Sequence, residues 1–135
     1  MIPRKILLVD DEPLVLRSMQ KTLLRAGFTV ETAANCPEAF QRAQAALQAG
    51  QPYDLAVLDL NMPGFDGAEA SGAGLELLSR LLAQQPKLPA IILTAYDEVE
   101  KARSAIARGA LGYCVKGREQ SLLTQIRDIF PEAKP

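Results

Sequence analysis

The sequence contains no histidine and no tryptophan among its 135 residues, and it has only two cysteines, Cys36 and Cys114. Without histidine, the chain cannot build a Ser-His-Asp or Cys-His nucleophilic site or a histidine-based zinc site. The cysteines lack metal or redox spacing and are expected to be small buried apolar residues. Acid, base or metal chemistry must therefore come from carboxylates, Lys, Thr, Ser, Tyr or Cys.

An excess of charge of one sign is also missing. Fifteen Lys and Arg residues face sixteen Asp and Glu residues, which gives a net charge of −1. This balance argues against a chain that wraps nucleic acid or binds an anionic membrane through a basic surface. The amino-terminal residues do not resemble a signal peptide, and no apolar run approaches the ~20 residues that span a bilayer. We expect a cytoplasmic protein with no direct nucleic-acid or membrane partner.

Short apolar runs alternate five times with segments of helical periodicity. The runs at residues 6–9, 28–33, 53–58, 90–93 and 111–115 predict strands. Apolar spacing predicts helix faces that include Phe40, Ala43 and Leu47 in the second helix, and Val99, Ala102 and Ile106 in the fourth, which Asp97 would open. Asn35 and Glu38 predict a capping box at the start of the second helix. The alternation favours a parallel sheet covered on both faces. Right-handed crossovers predict a single-domain, doubly wound α/β fold with strand order 2-1-3-4-5, a flavodoxin-like (βα)5 arrangement.

Polar residues that an apolar core does not need follow four of the five predicted strands. They are Asp10 and Asp11 after the first strand, Asp59 after the third, Thr94 after the fourth and Lys116 after the fifth. Because parallel strands end at the same edge of a sheet, these side chains should converge beside the crevice where such sheets bind ligands.

The residue types at the carboxyl edge of the sheet restrict the chemistry that is possible there. Three carboxylates close together repel, which raises their pKa values unless a cation neutralises them. Oxygen ligands favour Mg²⁺, with Mn²⁺ as a possible substitute. Lys116 supplies a flexible donor for a phosphoryl oxygen, and Thr94 supplies a hydroxyl. A carboxylate remains as the nucleophile, so the set of residues indicates phosphoryl transfer through an acyl phosphate.

Five elements in order resemble the receiver domain of two-component response regulators, in a form similar to the chemotaxis regulators. They are Lys5–Glu12 (KILLVDDE), Asp59–Gly67 (DLNMPGFDG), Thr94-Ala95, Tyr113 and Lys116. The resemblance covers about residues 4–130. It implies one receiver domain over residues 1–135, with an inserted loop at 68–74 and a tail or linker stub at 131–135.

The resemblance also implies which residues accept the phosphoryl group and hold the metal. Asp59 would receive the group from a phosphohistidine on a histidine kinase or a histidine phosphotransfer protein. Asp11 and Asp59 would bind Mg²⁺ directly, together with the backbone carbonyl of Asn61. Asp10 would act mostly through water.

A conformational switch is implied in the same way. Lys116 and Thr94 would contact the phosphoryl oxygens, and Tyr113 would turn inward as Thr94 moves. The surface of the fourth helix, fifth strand and fifth helix would then be read by a downstream effector protein or a fused output domain, and homodimerisation on phosphorylation is a further option. Such a chain is not an enzyme, beyond slow autophosphorylation from small donors and slow autodephosphorylation.

The sequence departs from the family pattern at two places. Gly117 stands where receivers usually carry proline. A cis bond without proline costs ~3–4 kcal/mol, so a trans bond is expected, and glycine's wide conformational range leaves Lys116 able to reach the site. The second departure is the insertion at 68–74, where Gly72 and Gly74 argue against a stable helix and predict a loop.

Other interpretations remain open from the sequence alone. Asp10 and Asp11 would serve as helix caps, and Thr94, Lys116 and Tyr113 as ordinary strand residues, in a purely structural reading. A Mg²⁺-dependent phosphatase with an aspartyl nucleophile is a second possibility, although the haloacid dehalogenase type requires Asp-x-Asp and a cap domain. A docking module that never needs phosphate is the third, supported only by Gly117.

Overall fold

The computed structural model describes residues 3–63, 69–71, 73–95 and 98–131. The elements in chain order are β1 (Lys5–Val9), α1 (Pro13–Arg25), β2 (Thr29–Ala33), α2 (Cys36–Gln48), β3 (Leu55–Asp59), β4 (Asn61–Pro63), β5 (Glu69–Ser71), α3 (Ala73–Gln84), β6 (Ala90–Thr94), α4 (Val99–Ala107), β7 (Gly112–Val115) and α5 (Glu119–Ile129). Within these ranges, no helix has the length and apolar character needed to cross a membrane.

The central sheet is parallel and has the strand order β2-β1-β3-β6-β7. Because β4 and β5 form a separate pair, β6 and β7 are the fourth and fifth strands of the sequence prediction. The predicted 2-1-3-4-5 order and the doubly wound fold are therefore confirmed. Of the three inner strands, β3 and β6 are buried along their whole length and β1 is buried at every residue except Lys5, as expected for strands covered on both faces.

Two apolar cores lie on opposite faces of this sheet. Along β1, Ile6 and Leu8 pack into the core under α1 and α5, while Leu7 and Val9 pack into the core under α2, α3 and α4. This division follows from the alternation of side chains along a strand. Both cysteines are buried and unpaired, as the sequence predicted.

Local signals placed the helix ends well, but two helix faces differ from the prediction. The Asn35 side chain accepts a hydrogen bond from the Glu38 N–H at 2.9 Å, so the predicted cap of α2 is confirmed. In α2 the buried face is made by Cys36, Ala39, Ala43 and Ala46, whereas Phe40 and Leu47 are only half-buried. In α4, Ala102 and Ala105 are buried but Ile106 is 42% exposed. Small residues let both helices approach the sheet closely, which turns the larger side chains outward. Asp97 lies outside the described residues.

The connection from β3 to α3 also differs from the predicted loop at 68–74. Glu69–Ser71 forms β5, which pairs antiparallel with β4, and α3 begins at Ala73 rather than at Leu75. Gly74 is inside the first turn of α3, where its N–H donates to Leu60 O at 3.1 Å. A Cβ at Gly74 would lie 2.3 Å from Asp59 O, so glycine is required for this close approach. The glycine that seemed to oppose a helix is what allows α3 to start beside β3. The remaining residues of the predicted loop, 68 and 72, lie outside the described residues.

Candidate functional site

The carboxyl edge of the sheet collects the buried polar side chains of the described residues. Asp10, Asp59 and Thr94 are exposed by no more than 2% of their surface and follow or end β1, β3 and β6. Lys116 follows β7 and is largely covered. Burying charged groups at an apolar edge is costly unless they are paired, so their joint presence indicates a built site.

Lys116 is the cation that connects the two buried carboxylates. Its Nζ lies 3.2 Å from Asp10 Oδ2 and 3.2 Å from Asp59 Oδ2. Burial alone would lower the pKa of Lys116, but hydrogen bonding to Glu12 and the charges of Asp59 and Asp10 outweigh it and raise the pKa. The lysine is therefore held in its charged form.

Asp10 is fixed from two sides. Burial raises the pKa of Asp10, and this effect outweighs the hydrogen bond that Oδ1 accepts from the Glu12 N–H at 2.8 Å and the charge of Lys116. Oδ2 is buried and has no hydrogen-bond partner among the described residues, although it lies within ion-pair distance of Lys116. A buried carboxylate oxygen in this state fits a position where a cation or an ordered water completes its contacts.

Glu12 is a site residue that the sequence analysis did not single out. Its Oε1 lies 2.6 Å from Lys116 Nζ, and one carboxylate oxygen from each of Asp10, Asp11 and Glu12 lies within 4.8 Å of the others. The available signal was the uninterrupted acidic run Asp10-Asp11-Glu12. It was not decisive because acidic residues before a helix usually serve as caps.

Oxygen ligands are the chemistry that the cluster Asp10, Asp11 and Glu12 offers to a metal. No nitrogen or sulfur ligand is part of it, and Asp59 is joined to Asp10 through Lys116. Such a set suits a hard cation such as Mg²⁺ rather than zinc or copper. The cluster therefore fits the kind of metal that was predicted, although the predicted ligand Asp59 is not part of it.

Gly117 has a positive φ of 91°, and the described residues contain no cis peptide bond. The expected trans bond after Lys116 is thus confirmed. The Lys116 N–H donates to Thr94 O at 2.9 Å, and the Arg118 N–H donates to Val115 O at 3.1 Å, which closes a turn at the end of β7. Glycine adopts this conformation without strain, so Lys116 reaches the site in the absence of proline.

The remaining predicted residues lie on β6, β7 and β4. The Thr94 hydroxyl donates to Glu98 O at 3.1 Å, into the connection that leads to α4. Tyr113 is half-buried and packs against the core under α2, α3 and α4, and its carbonyl accepts a hydrogen bond from Gln125 Nε2 at 2.8 Å. The backbone of Asn61 begins β4, two residues after Asp59.

A doubly wound sheet with a buried aspartate, a bound lysine and an acidic cluster at its carboxyl edge defines a phosphoacceptor class of signalling domain. The family model of the response regulator receiver domain matches residues 6–127. The chain therefore belongs to the receiver domains of two-component response regulators.

Relatives and solved structures agree with this assignment. The chain is 38% identical over 112 residues to the alginate biosynthesis transcriptional regulatory protein AlgB of Pseudomonas aeruginosa, which covers 83% of this chain and 22% of AlgB. It is 34% identical to the transcriptional regulatory protein FixJ of Bradyrhizobium diazoefficiens, over 96% of this chain and 58% of FixJ. The structure of chemotaxis protein CheY4 of Vibrio cholerae superposes with a TM-score of 0.80 at 30% identity, over 96% of this chain and 100% of that one. The chain thus spans 22% of AlgB and 58% of FixJ, less than two thirds of the length of either regulator.

Proposed function

We propose that Asp59 accepts a phosphoryl group and that this modification switches the surface formed by α4, β7 and α5. The observation that carries the proposal is the contact of buried Asp59 with Lys116 at 3.2 Å. A phosphoryl group on Asp59 would arrive next to a cation that is already in place. Phosphoryl transfer requires mainly positioning and charge neutralisation, which this arrangement supplies.

Asp59 is preferred to Asp10 as the acceptor because Asp10 belongs to the cluster that would hold the metal. Asp10 Oδ1 accepts the Glu12 N–H, and Asp10 shares an acidic cluster with Asp11. Asp59 ends β3, and its Oδ2 lies 3.2 Å from Lys116 Nζ. In the transfer, an Asp59 carboxylate oxygen forms a bond to phosphorus while the phosphorus–nitrogen bond of a phosphohistidine breaks, and the leaving imidazole takes up a proton.

A magnesium ion is part of the same proposal. Asp11 and Asp59 would hold Mg²⁺ directly with the backbone carbonyl of Asn61, Asp10 would act mostly through water, and Mn²⁺ is a possible substitute. The ion would neutralise charge on the phosphoryl oxygens. The buried Asp10 Oδ2 and the oxygen cluster of Asp10, Asp11 and Glu12 support this assignment.

The switch that we propose passes through Thr94 and Tyr113. Thr94 would leave its hydrogen bond with Glu98 O and donate to a phosphoryl oxygen, as Lys116 does. Because Glu98 precedes α4, the loss of this bond would free the start of that helix. Tyr113 would then turn inward and change the surface that a partner reads.

The partners follow from the proposed chemistry. The donor would be a histidine kinase or a histidine phosphotransfer protein, and the reader would be an effector protein, a fused output domain or a second copy of the chain. We also propose that residues 4–130 act as one receiver domain, with a cytoplasmic location. Slow autophosphorylation from small donors and slow autodephosphorylation would be its only catalytic activities.

Acetyl phosphate with Mg²⁺ tests the acceptor. Intact-mass measurement should find one added phosphoryl group on the wild type and none on Asp59→Asn. Asp54→Asn is the matched control, because Asp54 accepts a hydrogen bond from the Lys5 N–H outside the site and its loss should leave labelling unchanged. Equal labelling of wild type and Asp59→Asn would reject Asp59 as the acceptor. A wild type that takes up no phosphoryl group would favour a docking module instead.

A further inference from the structure

Glu12 stands at the amino end of α1 but does not cap that helix with its side chain. Its carboxylate instead accepts a hydrogen bond from Lys116 Nζ at 2.6 Å, across 104 positions in the sequence. A Ser, Thr, Asn or Asp side chain at a cap position usually bonds to the first free N–H groups of its own helix, whereas the longer Glu12 side chain does not. Because the Glu12 side chain bonds to a distant lysine, its role differs from that of a helix cap.

Lys116 is shared by three carboxylates. Glu12 lies at 2.6 Å from its Nζ, and Asp10 and Asp59 each lie at 3.2 Å. Lys116 Nζ donates hydrogen bonds to Glu12 Oε1 at 2.6 Å and to Asp10 Oδ1 at 3.4 Å, whereas its contact with Asp59 is an ion pair. A phosphoryl oxygen on Asp59 would therefore compete with these hydrogen bonds for the ammonium group.

Glu12 is the carboxylate that can leave most easily. Its side chain is 59% exposed, compared with 0% for Asp10 and 2% for Asp59. A released Glu12 can be solvated at once, whereas Asp10 or Asp59 would lose an ion-pair partner while remaining buried.

We propose that Glu12 is a positioning residue that holds Lys116 in the unphosphorylated protein and competes with the phosphoryl oxygens for it. This inference rests on the proposed function and adds a regulating contact to it. The strength of the Glu12 contact sets how readily the site retains a phosphoryl group. Removing the Glu12 charge while keeping its shape should therefore make that retention stronger.

A different role for Glu12 would predict the opposite effect of its substitution on phosphoryl retention. If Glu12 served as a metal ligand beside Asp10 and Asp11, its substitution would weaken the site toward Mg²⁺ and with it toward a phosphoryl group. The two roles therefore predict opposite changes in how tightly Glu12→Gln binds a phosphoryl mimic.

The experiment uses beryllofluoride as the phosphoryl mimic at saturating Mg²⁺, followed through backbone amide signals in NMR titrations. Glu12→Gln should bind the mimic about two- to fivefold more tightly than wild type, the range expected for one exposed ion pair. Glu119→Gln is the matched control, since Glu119 carries the same charge but accepts a hydrogen bond from Ser18. Glu12→Asp, which is too short to keep the same contact, is a second variant expected to change in the direction of Glu12→Gln.

A second readout needs no metal. In the metal-free protein, the ε-methylene signal of Lys116 should shift in Glu12→Gln and stay unchanged in Glu119→Gln. Unchanged or weaker binding of the mimic by Glu12→Gln, or equal tightening by Glu119→Gln, would overturn the inference. A wild type whose binding does not depend on Asp59 would instead overturn the proposed function.

Discussion

At the scale of single residues, the site keeps a lysine charged while much of its water is removed. Burial opposes the charge of Lys116, and three carboxylates restore it. Burial also raises the pKa of Asp10, because it disfavours the charged form of that carboxyl group. This balance explains why acids that repel one another can stand at the edge of an apolar sheet.

Gly74 shows how one missing side chain shapes the neighbourhood of Asp59. Gly74→Ala would place a Cβ 2.3 Å from Asp59 O and 2.7 Å from Leu60 Cα, and both are backbone atoms that move only with the strand. We expect a loss of about 1–3 kcal/mol in the free energy of unfolding, as for other overpacked sites, measured by urea denaturation. Ser79→Ala, at an exposed position of the same helix, should change stability by only a few tenths of a kcal/mol. Equal stability of Gly74→Ala and Ser79→Ala would contradict the close approach.

The thiol of Cys36 gives a prediction for how folding stability depends on pH in the alkaline range. Burial, followed by the negative charges of Glu76 and Asp59, raises the pKa of the Cys36 thiol from 9.0 to about 11. Between these values the folded protein keeps a proton that the unfolded chain loses, so folding stability falls as the pH rises. The wild type should therefore lose more stability than Cys36→Ala between pH 9 and 11, as judged by urea melts. Parallel curves for the two proteins would show that the thiol does not contribute.

At the scale of elements, β7 is held by the neighbouring helix as well as by β6. Gln125 of α5 donates to Tyr113 O at 2.8 Å, and its Oε1 occupies the place where a Cβ at Gly112 would come within 2.8 Å. The absence of a side chain at Gly112 thus makes room for the amide that holds the backbone of Tyr113. The helix and the strand of the proposed output surface are connected through this contact.

Gln125→Ala should remove that hydrogen bond and cost about 1 kcal/mol of unfolding free energy. Gly112→Ala should displace the same amide, so the double variant should be less destabilised than the sum of the two single variants. Gln120→Ala, at an exposed position of α5, is the control and should be close to neutral. Strict additivity of Gly112→Ala and Gln125→Ala would show that the two positions act independently.

Local sequence patterns were sufficient to predict the strands and helices but not the contacts between them. The apolar runs and the Asn35 cap predicted strands and helix starts, because these depend on neighbours in the sequence. Glu12 was missed because its partner Lys116 is 104 positions away. The β4–β5 pair and the start of α3 were missed because Gly74 is disfavoured in helices in general, and only the backbone of Asp59 and Leu60 shows why it is needed here.

At the scale of the whole molecule, the sheet joins the site to the face under α4. Thr94 connects the two, since its carbonyl accepts the Lys116 N–H and its hydroxyl donates to Glu98 O. Thr94 thus makes one hydrogen bond with the site and another with the residue that precedes α4. This arrangement offers a short physical route from a modification at Asp59 to a change in the outer surface.

Thr94→Ala tests that route. The variant keeps the backbone link to Lys116 but loses the hydroxyl, so beryllofluoride with Mg²⁺ should still perturb amide signals at Asp10 and Asp59. Thr94→Ala has no hydroxyl that could move its hydrogen bond from Glu98 O to a phosphoryl oxygen. The signals of α4 and of Tyr113 should therefore respond much less than in wild type. Thr94→Ser retains the hydroxyl and should restore the response of α4. If Thr94→Ala transmitted the full change to α4 and Tyr113, the coupling would have to run through the Lys116 backbone and β7 instead, and the hydroxyl would only stabilise the resting connection.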